Sequence, residues 1–156
     1  MLKMGIPAVI FDMDGTLADV SGIRHFLRGI KKTGKPDKNF DRFHEEGVNV
    51  PPHQWVVDAL RTYKDNGFAI IIVTARMYKW RHQTAWFLGL NDIPSDALFM
   101  RTNGDQRADV IIKREIYNRI VELGYDVYRA FDDNPNVIAL WDELGIPCTI
   151  VEGWED

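Results

Sequence analysis

Cysteine is nearly absent from this sequence of 156 residues, and long apolar runs are absent altogether. Cys148 is the only cysteine, so no disulfide can form within the chain, which favours a reducing, cytoplasmic location. No stretch reaches the ~18 consecutive apolar residues of a membrane span. The apolar run near the amino terminus stops at Asp12, which is not typical of a signal peptide. We therefore expect a cytoplasmic protein with no membrane partner.

An excess of positive charge is also lacking. The net charge is −4, which argues against indiscriminate binding to nucleic acid. Basic residues are nevertheless concentrated in one segment, where Asp37 is the only acid; they are Arg24, Arg28, Lys31, Lys32, Lys35 and Lys38. A solvated helix face and a binding surface both explain such a segment.

Five short apolar runs predict the strands of the chain, at residues 8–11, 69–73, 97–100, 127–131 and 148–151. Most of them do not alternate with polar residues, which is typical of parallel strands buried on both faces. Apolar residues at helical spacing predict four helices, one from Trp55, one closing at Gly89, one over 110–123 and one over 137–144. The alternation predicts an α/β fold, a three-layer sandwich with a Rossmann-like parallel sheet.

Residues 20–53 interrupt this alternation. They separate the first predicted strand from the next helix, contain no strong strand pattern and end at Pro51 and Pro52. A connection of this length is uncommon unless it has a function. Because the whole chain has the size of one domain, we expect a single domain over residues 1–156 with a small cap-like insert at about 20–53.

Polar side chains follow the predicted strands. Asp12 and Asp14 come after the first strand, and Asp132 and Asp133 come after the fourth. After the second strand come Thr74, Ala75 and Arg76, and near the start of the third helix lie Asp109 and Lys113. Ligands of parallel α/β sheets bind beyond the carboxyl ends of the strands, so we expect these groups to share one cleft.

This set of groups suits phosphoryl transfer through an aspartyl-phosphate. A carboxylate can attack phosphorus, and a second carboxylate two residues later can protonate the leaving oxygen and then activate water. Clustered carboxylates are typical ligands of Mg²⁺, which together with a lysine would neutralise the phosphate oxygens. Gly15 would permit the tight turn beside the site.

Each group also has a simpler explanation when it is taken alone. Asp12 and Asp14 could belong to a turn or a calcium loop, but Leu17 and Ala18 interrupt the calcium-loop pattern. Thr74 could cap a helix, Lys113 could lie on the surface and Asp109 could be a helix N-cap. Residues 132–135 have the pattern of a turn followed by a helix start. The four groups taken together favour the catalytic interpretation.

The segment Asp12-Met13-Asp14-Gly15-Thr16, with Thr74, Lys113 and the pair Asp132-Asp133 in that order, resembles the four motifs of the haloacid dehalogenase superfamily of phosphatases. The resemblance implies that Asp12 is the nucleophile and Asp14 the general acid and base. It implies that Thr74, Ala75, Arg76 and Lys113 hold the phosphoryl group. Mg²⁺ would be held by Asp12, by the backbone carbonyl of Asp14 and by Asp132 or Asp133, without a choice between the last two.

A closer resemblance covers most of the chain. Residues 100–116, 131–138 and 144–148 are similar to the phosphatase domain of phage-type polynucleotide kinase–phosphatase. That family implies active-site roles for Arg76 and Asp109, and Arg24 is the nearest match to a further arginine. It also implies removal of 3′-phosphates from nucleic-acid ends or nucleotides. The chain lacks the GxxxxGK[ST] phosphate loop, so we expect no kinase domain within it.

Two further residues are candidates for substrate binding. Arg107 belongs to a Gly-Asp-Gln-Arg sequence that could equally be a turn, and Trp80 lies among cations where it could stack on a base or pack on the core. The four histidines have no ligand spacing and are interpreted as structural or surface residues; they are His25, His44, His53 and His82.

Three functions remain open at this point. A polynucleotide 3′-phosphatase is favoured, and a small-molecule phosphatase such as a nucleotidase would use the same residues. A nucleic-acid end-binding module without turnover is the third, although such a module would have no need of the Asp12 and Asp14 pair. The sequence leaves four questions open: whether the substrate is RNA or DNA, whether cyclic phosphates are opened, whether a separate kinase or ligase takes part, and what the oligomeric state is.

Overall fold

The computed structural model describes residues 5–30 and 33–154, so Lys31 and Lys32 of the basic segment lie outside the described residues. In chain order the strands are β1 (Ile6–Phe11), β2 (Gly29–Ile30), β3 (Pro36–Asp37), β4 (Ala69–Met77), β5 (Ala97–Arg101), β6 (Tyr125–Asp132) and β7 (Cys148–Ile150). Five of them form one parallel sheet in the order β5-β4-β1-β6-β7, while β2 and β3 form a separate antiparallel pair. All five predicted strands are thereby confirmed.

Helices cover both faces of the sheet. They are α1 (Phe40–Glu46), α2 (Gln54–Asp65), α3 (Arg81–Leu90), α4 (Asp109–Glu122) and α5 (Pro135–Glu143). Side chains of α2 and α3 share one apolar core with Val9 and Phe11 of β1, and side chains of α4 and α5 share another with Ala8 and Ile10. Because successive residues of a strand point to opposite faces, β1 contributes to both cores. The predicted three-layer α/β sandwich is confirmed.

The segment between β1 and α2 leaves the sheet and returns to its starting point. The Asp19 amide donates to the Pro51 carbonyl at 2.9 Å, and the His53 amide donates to the Leu17 carbonyl at 2.9 Å. Between these ties lie a 3₁₀ helix (Ser21–Leu27), the β2–β3 pair, α1 and a second 3₁₀ helix (Gly47–Asn49). The two short strands were not predicted, because two residues leave no periodic pattern.

Several boundaries differ from the predicted ones by a few residues. Strand β4 continues to Met77 instead of stopping at Val73, with a shift of register between Thr74 and Met77 that bends its last residues. Lys113 lies inside α4, near its start as expected. The N-cap of α4 is Ala108 and Asp109 is the first helical residue, so the alternative of Asp109 as the N-cap does not hold. In α4 the buried residues include Lys113, whereas Ile111, Val121 and Leu123 are exposed.

Among the described residues, no helix is both long enough and apolar enough to cross a bilayer.

Candidate active site

The first site carboxylate follows the central strand of the sheet directly. The Asp12 amide donates to the Phe131 carbonyl at 3.1 Å, which continues the β1–β6 pairing by one residue. The chain then coils, because the Ala18 amide donates back to the Met13 carbonyl at 3.0 Å. Gly15 makes this coil possible. Its φ is +83°, and a Cβ on it would lie 1.9 Å from Asp133 Oδ2, so a side chain here would both strain the backbone and collide with the site.

Four buried side chains from three elements form what we call the nucleophile cluster: Asp12, Lys113, Asp132 and Asp133. Lys113 Nζ donates to Asp12 Oδ1 and to Asp132 Oδ2, each at 2.9 Å. Asp132 Oδ1 accepts from the Asp133 and Asn134 amides at 2.9 and 3.1 Å. The carboxyl ends of β1 and β6 therefore meet at the Lys113 ammonium, as the strand-end argument predicted.

Burial and mutual repulsion set the protonation of this cluster. Burial, followed by the negative charges of Asp132 and Asp133, holds the pKa of Asp12 well above its usual range, although Lys113 opposes the shift. Burial also raises the pKa of Asp133. Burial by itself lowers the pKa of Lys113, but the carboxylates of Asp12 and Asp132 outweigh it and raise that pKa. Three carboxylates around one ammonium leave the cluster with an excess of negative charge.

The donor set fits a hard divalent cation. One carboxylate oxygen from each of Asp12, Asp132 and Asp133 lies within 4.8 Å of the others, and all three residues are buried. Asp133 Oδ2 is buried without a hydrogen-bond partner, which leaves an oxygen ready for a ligand. All-oxygen sites of this kind suit Mg²⁺. The backbone carbonyl of Asp14 stays a predicted metal ligand, while the Asp14 carboxylate lies in a separate pair.

That second group is what we call the acid pair, Asp14 with Arg76. Arg76 donates from Nε to Asp14 Oδ2 at 2.9 Å and from Nη2 to Asp14 Oδ1 at 2.5 Å, a bidentate contact. The Arg76 side chain is 1% exposed, whereas that of Asp14 is 26% exposed. Burial raises the pKa of Asp14, but the Arg76 guanidinium outweighs this and holds that pKa below its usual value.

Arg76 is itself fixed by a helix. Its Nη1 donates to Thr84 Oγ1 at 3.0 Å, and the Thr84 hydroxyl donates to the Trp80 carbonyl at 2.9 Å. The predicted substrate contact Trp80 has its ring centroid 5.0 Å from that of His44, and Lys79 Nζ lies 5.3 Å from the Trp80 ring centroid. Trp80 therefore contacts the insert through His44 of α1.

His44 is a buried residue that sequence reasoning interpreted only as structural or surface. Burial lowers its pKa to about 4, and its Nδ1 has no hydrogen-bond partner among the described residues. Within the insert it lies on α1 and contacts Trp80, which follows β4. The charges of Asp14 and Arg76 shift the pKa of His44 in opposite directions. Nothing in its sequence neighbourhood indicates this position, because the contact with Trp80 joins segments far apart in the chain.

The bent end of β4 holds the predicted phosphate-binding residues Thr74, Ala75 and Arg76. Thr74 is buried, and its hydroxyl accepts from the Arg76 amide at 3.2 Å. The Ala75 carbonyl accepts from Arg101 Nε at 2.8 Å. Arg101 was not predicted as a site residue, although it is buried and ends β5. The same search of strand ends that found Thr74 would have found it.

Arg101 also organises the loop before α4. Its Nη1 donates to the Asp105 carbonyl at 3.0 Å and to the Arg107 carbonyl, and its Nη2 donates to Asp109 Oδ1 at 2.6 Å. Asp109, a predicted site residue, is thus the partner of Arg101. Arg107, another predicted residue, forms exposed ion pairs with Asp105 and Glu115. The structure does not place the Arg107 side chain in the nucleophile cluster or in the acid pair.

The cluster has two further supports that were not singled out. Thr16 Oγ1 lies 3.2 Å from Asp12 Oδ2 and 3.4 Å from Asp133 Oδ1, within reach as a donor to either. The indole Nε1 of Trp141 donates to Asp132 Oδ2 at 3.4 Å. Thr16 could have been found from its place in the Asp-x-Asp-Gly-Thr motif. The sequence around Trp141 does not indicate this hydrogen bond, because only the fold brings α5 close to Asp132.

Arg24, the loosely matched arginine, does reach the site. Its Nη2 lies 3.6 Å from Asp133 Oδ2, and its Nε is buried without a hydrogen-bond partner. The 3₁₀ helix that carries Arg24 therefore contributes one positive charge beside the nucleophile cluster.

Comparison with known proteins decides the family. The model described as the polynucleotide kinase PNKP phosphatase domain matches residues 6–153, nearly the whole chain. The chain belongs to this family of phosphatase domains. Both resemblances, to the haloacid dehalogenase superfamily and to polynucleotide kinase–phosphatase, are confirmed.

Solved structures agree with this family. Two structures of the Pnkp1/Rnl/Hen1 complex, one of them described as an RNA repair complex, have TM-scores of 0.78 and 0.76 and sequence identities of 28% and 30%. Each covers 94% of this chain, which spans only 46% and 42% of those longer chains. A class C acid phosphatase from Bacillus anthracis shares the fold, with a TM-score of 0.66 and 19% identity over 85% of this chain and 53% of its own.

A curated viral relative matches a shorter region. A protein of Autographa californica nuclear polyhedrosis virus, assigned as a bifunctional polynucleotide kinase/RNA ligase, is 37% identical over 62 residues. The match covers 40% of this chain and 9% of that protein. The chain therefore spans less than half the length of the Pnkp1 complex chains and matches only a small part of the viral protein.

Proposed function

We propose that the protein is a Mg²⁺-dependent phosphomonoesterase that removes 3′-terminal phosphates from polynucleotides through a phosphorylated Asp12. The observation that carries this proposal is the family match over residues 6–153. Within the match, Asp12 belongs to a buried cluster that contains Lys113 and a carboxylate oxygen of Asp133 without a hydrogen-bond partner. Phosphatase chemistry follows from the family, the roles of Asp12 and of the metal ligands rest on the geometry of the site, and the substrate rests on the relatives.

The first step forms a bond between an Asp12 carboxylate oxygen and phosphorus and breaks the bond between phosphorus and the 3′ oxygen. Asp14 donates its proton to that oxygen as it leaves. Arg76 favours the ionised form of Asp14 in the free protein. A phosphate dianion beside Arg76 adds negative charge near Asp14 and so favours the protonated form that the step needs.

The second step returns Asp12 to its starting state. Asp14, now ionised, takes a proton from a water molecule whose oxygen attacks phosphorus, and the bond between phosphorus and Asp12 breaks. Inorganic phosphate leaves, and Asp14 is again protonated. Asp14 suits both roles because its side chain is the more exposed member of the acid pair and can meet substrate and water.

Charge on the transferred phosphoryl group is balanced by residues of two strand ends and one helix. We assign phosphate binding to the Thr74 hydroxyl, the Ala75 and Arg76 backbone and the Lys113 ammonium. Asp12, Asp132 and Asp133, with the backbone carbonyl of Asp14, would hold Mg²⁺. A bound Mg²⁺ would supply positive charge to the phosphate oxygens and relieve the repulsion among the carboxylates.

The polynucleotide substrate is supported by the relatives, whose descriptions name polynucleotide kinase and RNA repair. The 156 residues contain no GxxxxGK[ST] loop, so we assign them no kinase activity.

We further propose that residues 1–156 form one catalytic domain, with the insert at about 20–53 acting as a small cap. A single half-buried cysteine is compatible with action in the cytoplasm.

The test compares matched oligonucleotides that carry phosphate at the 3′ or the 5′ end, with 3′- and 5′-mononucleotides beside them. We expect Mg²⁺-dependent release from the 3′-phosphorylated oligonucleotide, loss of release with a chelator and its recovery when Mg²⁺ is restored. The Asp12→Asn variant serves as the control, since binding without turnover is expected of it.

Two results would contradict the proposal. Release from mononucleotides alone would leave the chemistry intact and replace the substrate, making the protein a nucleotidase. Binding of oligonucleotide ends without any release by the wild-type protein would make it an end-binding module.

A further inference from the structure

A second cleft opens beside the nucleophile cluster. It has a volume of about 400 Å³, and eight residues line it. This volume lies within the 300–1,000 Å³ that is usual for ligand pockets. One lining residue, Asp133, belongs to the nucleophile cluster, so the two sites share a wall. The cleft therefore borders the candidate active site at Asp133.

Most of the other lining residues are apolar or aromatic. They include Pro135 and Ile138 from the start of α5, Ile150 and Val151 around the end of β7, and Trp154. Ile150 and Trp154 are 53% and 38% exposed. A tryptophan face beside aliphatic side chains is the kind of surface on which a planar base stacks.

Arg24 connects the two sites. Its Nη2 lies 3.6 Å from Asp133 Oδ2, while its guanidinium carbon lies 5.9 Å from the centroid of the Trp154 ring. A cation within about 6 Å of an aromatic centroid is attracted to the ring face. One arginine of the insert thus contacts both the candidate metal ligand and the aromatic wall of the cleft, which fixes the ring relative to the reaction site.

Charge decides which part of a nucleotide fits. The described lining includes the carboxylates of Asp133 and Glu152 and no lysine or arginine. Asp133 is paired with Arg24, so the charge of Glu152 is the one that repels a second phosphate and disfavours the polynucleotide backbone here. A neutral base has no such penalty, and its amino or imino hydrogens can be donated to Glu152.

We infer that this cleft is a subsite for the terminal nucleobase of the substrate, stacked on Trp154 beside the Asp133 wall. The inference rests on the proposed function, because it takes the reacting phosphate to belong to a nucleotide. It adds a binding site, a ligand class and an anchoring residue to that function. Trp154 positions the substrate and takes no part in the chemistry.

The experiment compares two 3′-phosphorylated oligonucleotides of equal length, one with an ordinary terminal nucleotide and one in which that nucleotide is abasic. We expect the wild-type protein to use the base-bearing substrate with a KM about tenfold lower and a similar kcat. Trp154→Ala should raise the KM for the base-bearing substrate to that of the abasic one. Trp154→Phe, which keeps an aromatic face, should retain most of the difference.

A matched control is Trp86→Ala, which removes a tryptophan that is 63% exposed on α3, and no change is expected from it. Equal KM values for the two substrates with the wild-type protein would overturn the inference alone. Equal losses on both substrates in Trp154→Ala would show a structural role for Trp154 and would also overturn it. Release from neither oligonucleotide, with turnover of another phosphomonoester, would overturn the proposed function and the inference with it.

Discussion

Asp12 and Asp14 lie two residues apart, yet the structure shifts their pKa values in opposite directions. Asp12 belongs to a cluster with two other carboxylates and one ammonium, so burial and repulsion raise its pKa. Asp14 is paired with the Arg76 guanidinium, which lowers the pKa of Asp14 despite burial. Two carboxylates in different environments are suited to different tasks. The cluster is arranged for a cation and a phosphoryl group, and the acid pair for moving a proton.

The largest expected effect comes from removing the nucleophile. Asp12→Asn should lower kcat by about 10⁵-fold or more, as is usual when a catalytic nucleophile is lost. Because asparagine is neutral and of similar size, the fold should persist. Steady-state phosphate release and a thermal melt measure both effects. Residual activity within tenfold of wild type would remove Asp12 from its assigned role.

Removal of the acid should matter less and should depend on the leaving group. Asp14→Asn should lower kcat by about 10²- to 10⁴-fold on a nucleotide 3′-phosphate, whose leaving oxygen needs a proton. An aryl phosphate leaves without that proton, so its first step should be much less affected. Burst kinetics on the two substrates separate the steps. An equal loss of the burst rate on both would contradict the assignment of Asp14 as the acid.

Breaking the acid pair should destabilise the fold. Arg76→Met leaves the partly buried Asp14 carboxylate without its partner and should lower the free energy of unfolding by about 1–3 kcal/mol. The double variant Asp14→Asn/Arg76→Met should recover much of this loss, since the uncompensated charge is gone. Denaturant unfolding of the two single variants and the double variant measures the coupling. Additive losses would mean that the two side chains act independently.

The opposite pKa shifts predict opposite effects of pH on the stability of the metal-free protein. Asp14, with a lowered pKa in the folded state, stabilises the fold above its unfolded value of about 3.9, and this contribution disappears as the pH falls through the folded value. Asp12, with a raised pKa, makes the folded state bind more protons, so stability falls as the pH rises from about 4 through the folded value.

Unfolding followed against pH in a chelator checks this pair of signs. Asp14→Asn should weaken the acidic decline, to which Asp19, Asp96, Asp105 and Glu115 also contribute through their lowered pKa values. Asp12→Asn should weaken the decline toward neutral pH, to which Asp133 contributes through its raised pKa. The same pH dependence in both variants would contradict the contrast between the two carboxylates.

Much of the site follows from where polar residues stand along the chain. Asp12, Thr74 and Asp132 each follow an apolar run, and parallel strands bring their carboxyl ends to one edge, so their meeting was predictable. Lys113 was expected in the same cleft from its position near the start of the third helix, but its burial in α4 was not predicted, because a lysine inside a helix usually faces solvent.

The rest depended on contacts between segments far apart. The partner of Asp14 lies 62 residues away, and only the bend at the end of β4 turns Arg76 toward it. His44 meets Trp80 through the insert, whose short elements carry no periodic signal. Arg101 was not predicted, although it directly follows the apolar run 97–100, because only other strand ends carry residues of the four motifs.

Chemical trapping of the phosphorylated residue tests most directly whether Asp12 is the nucleophile and Asp14 is not. Borohydride converts an aspartyl-phosphate to homoserine, and mass spectrometry of the peptide with residues 12–14 locates the change. The account predicts homoserine at position 12 and unchanged aspartate at position 14, only when substrate and Mg²⁺ are both present. Modification at position 14, or no modification of Asp12 during turnover, would contradict it.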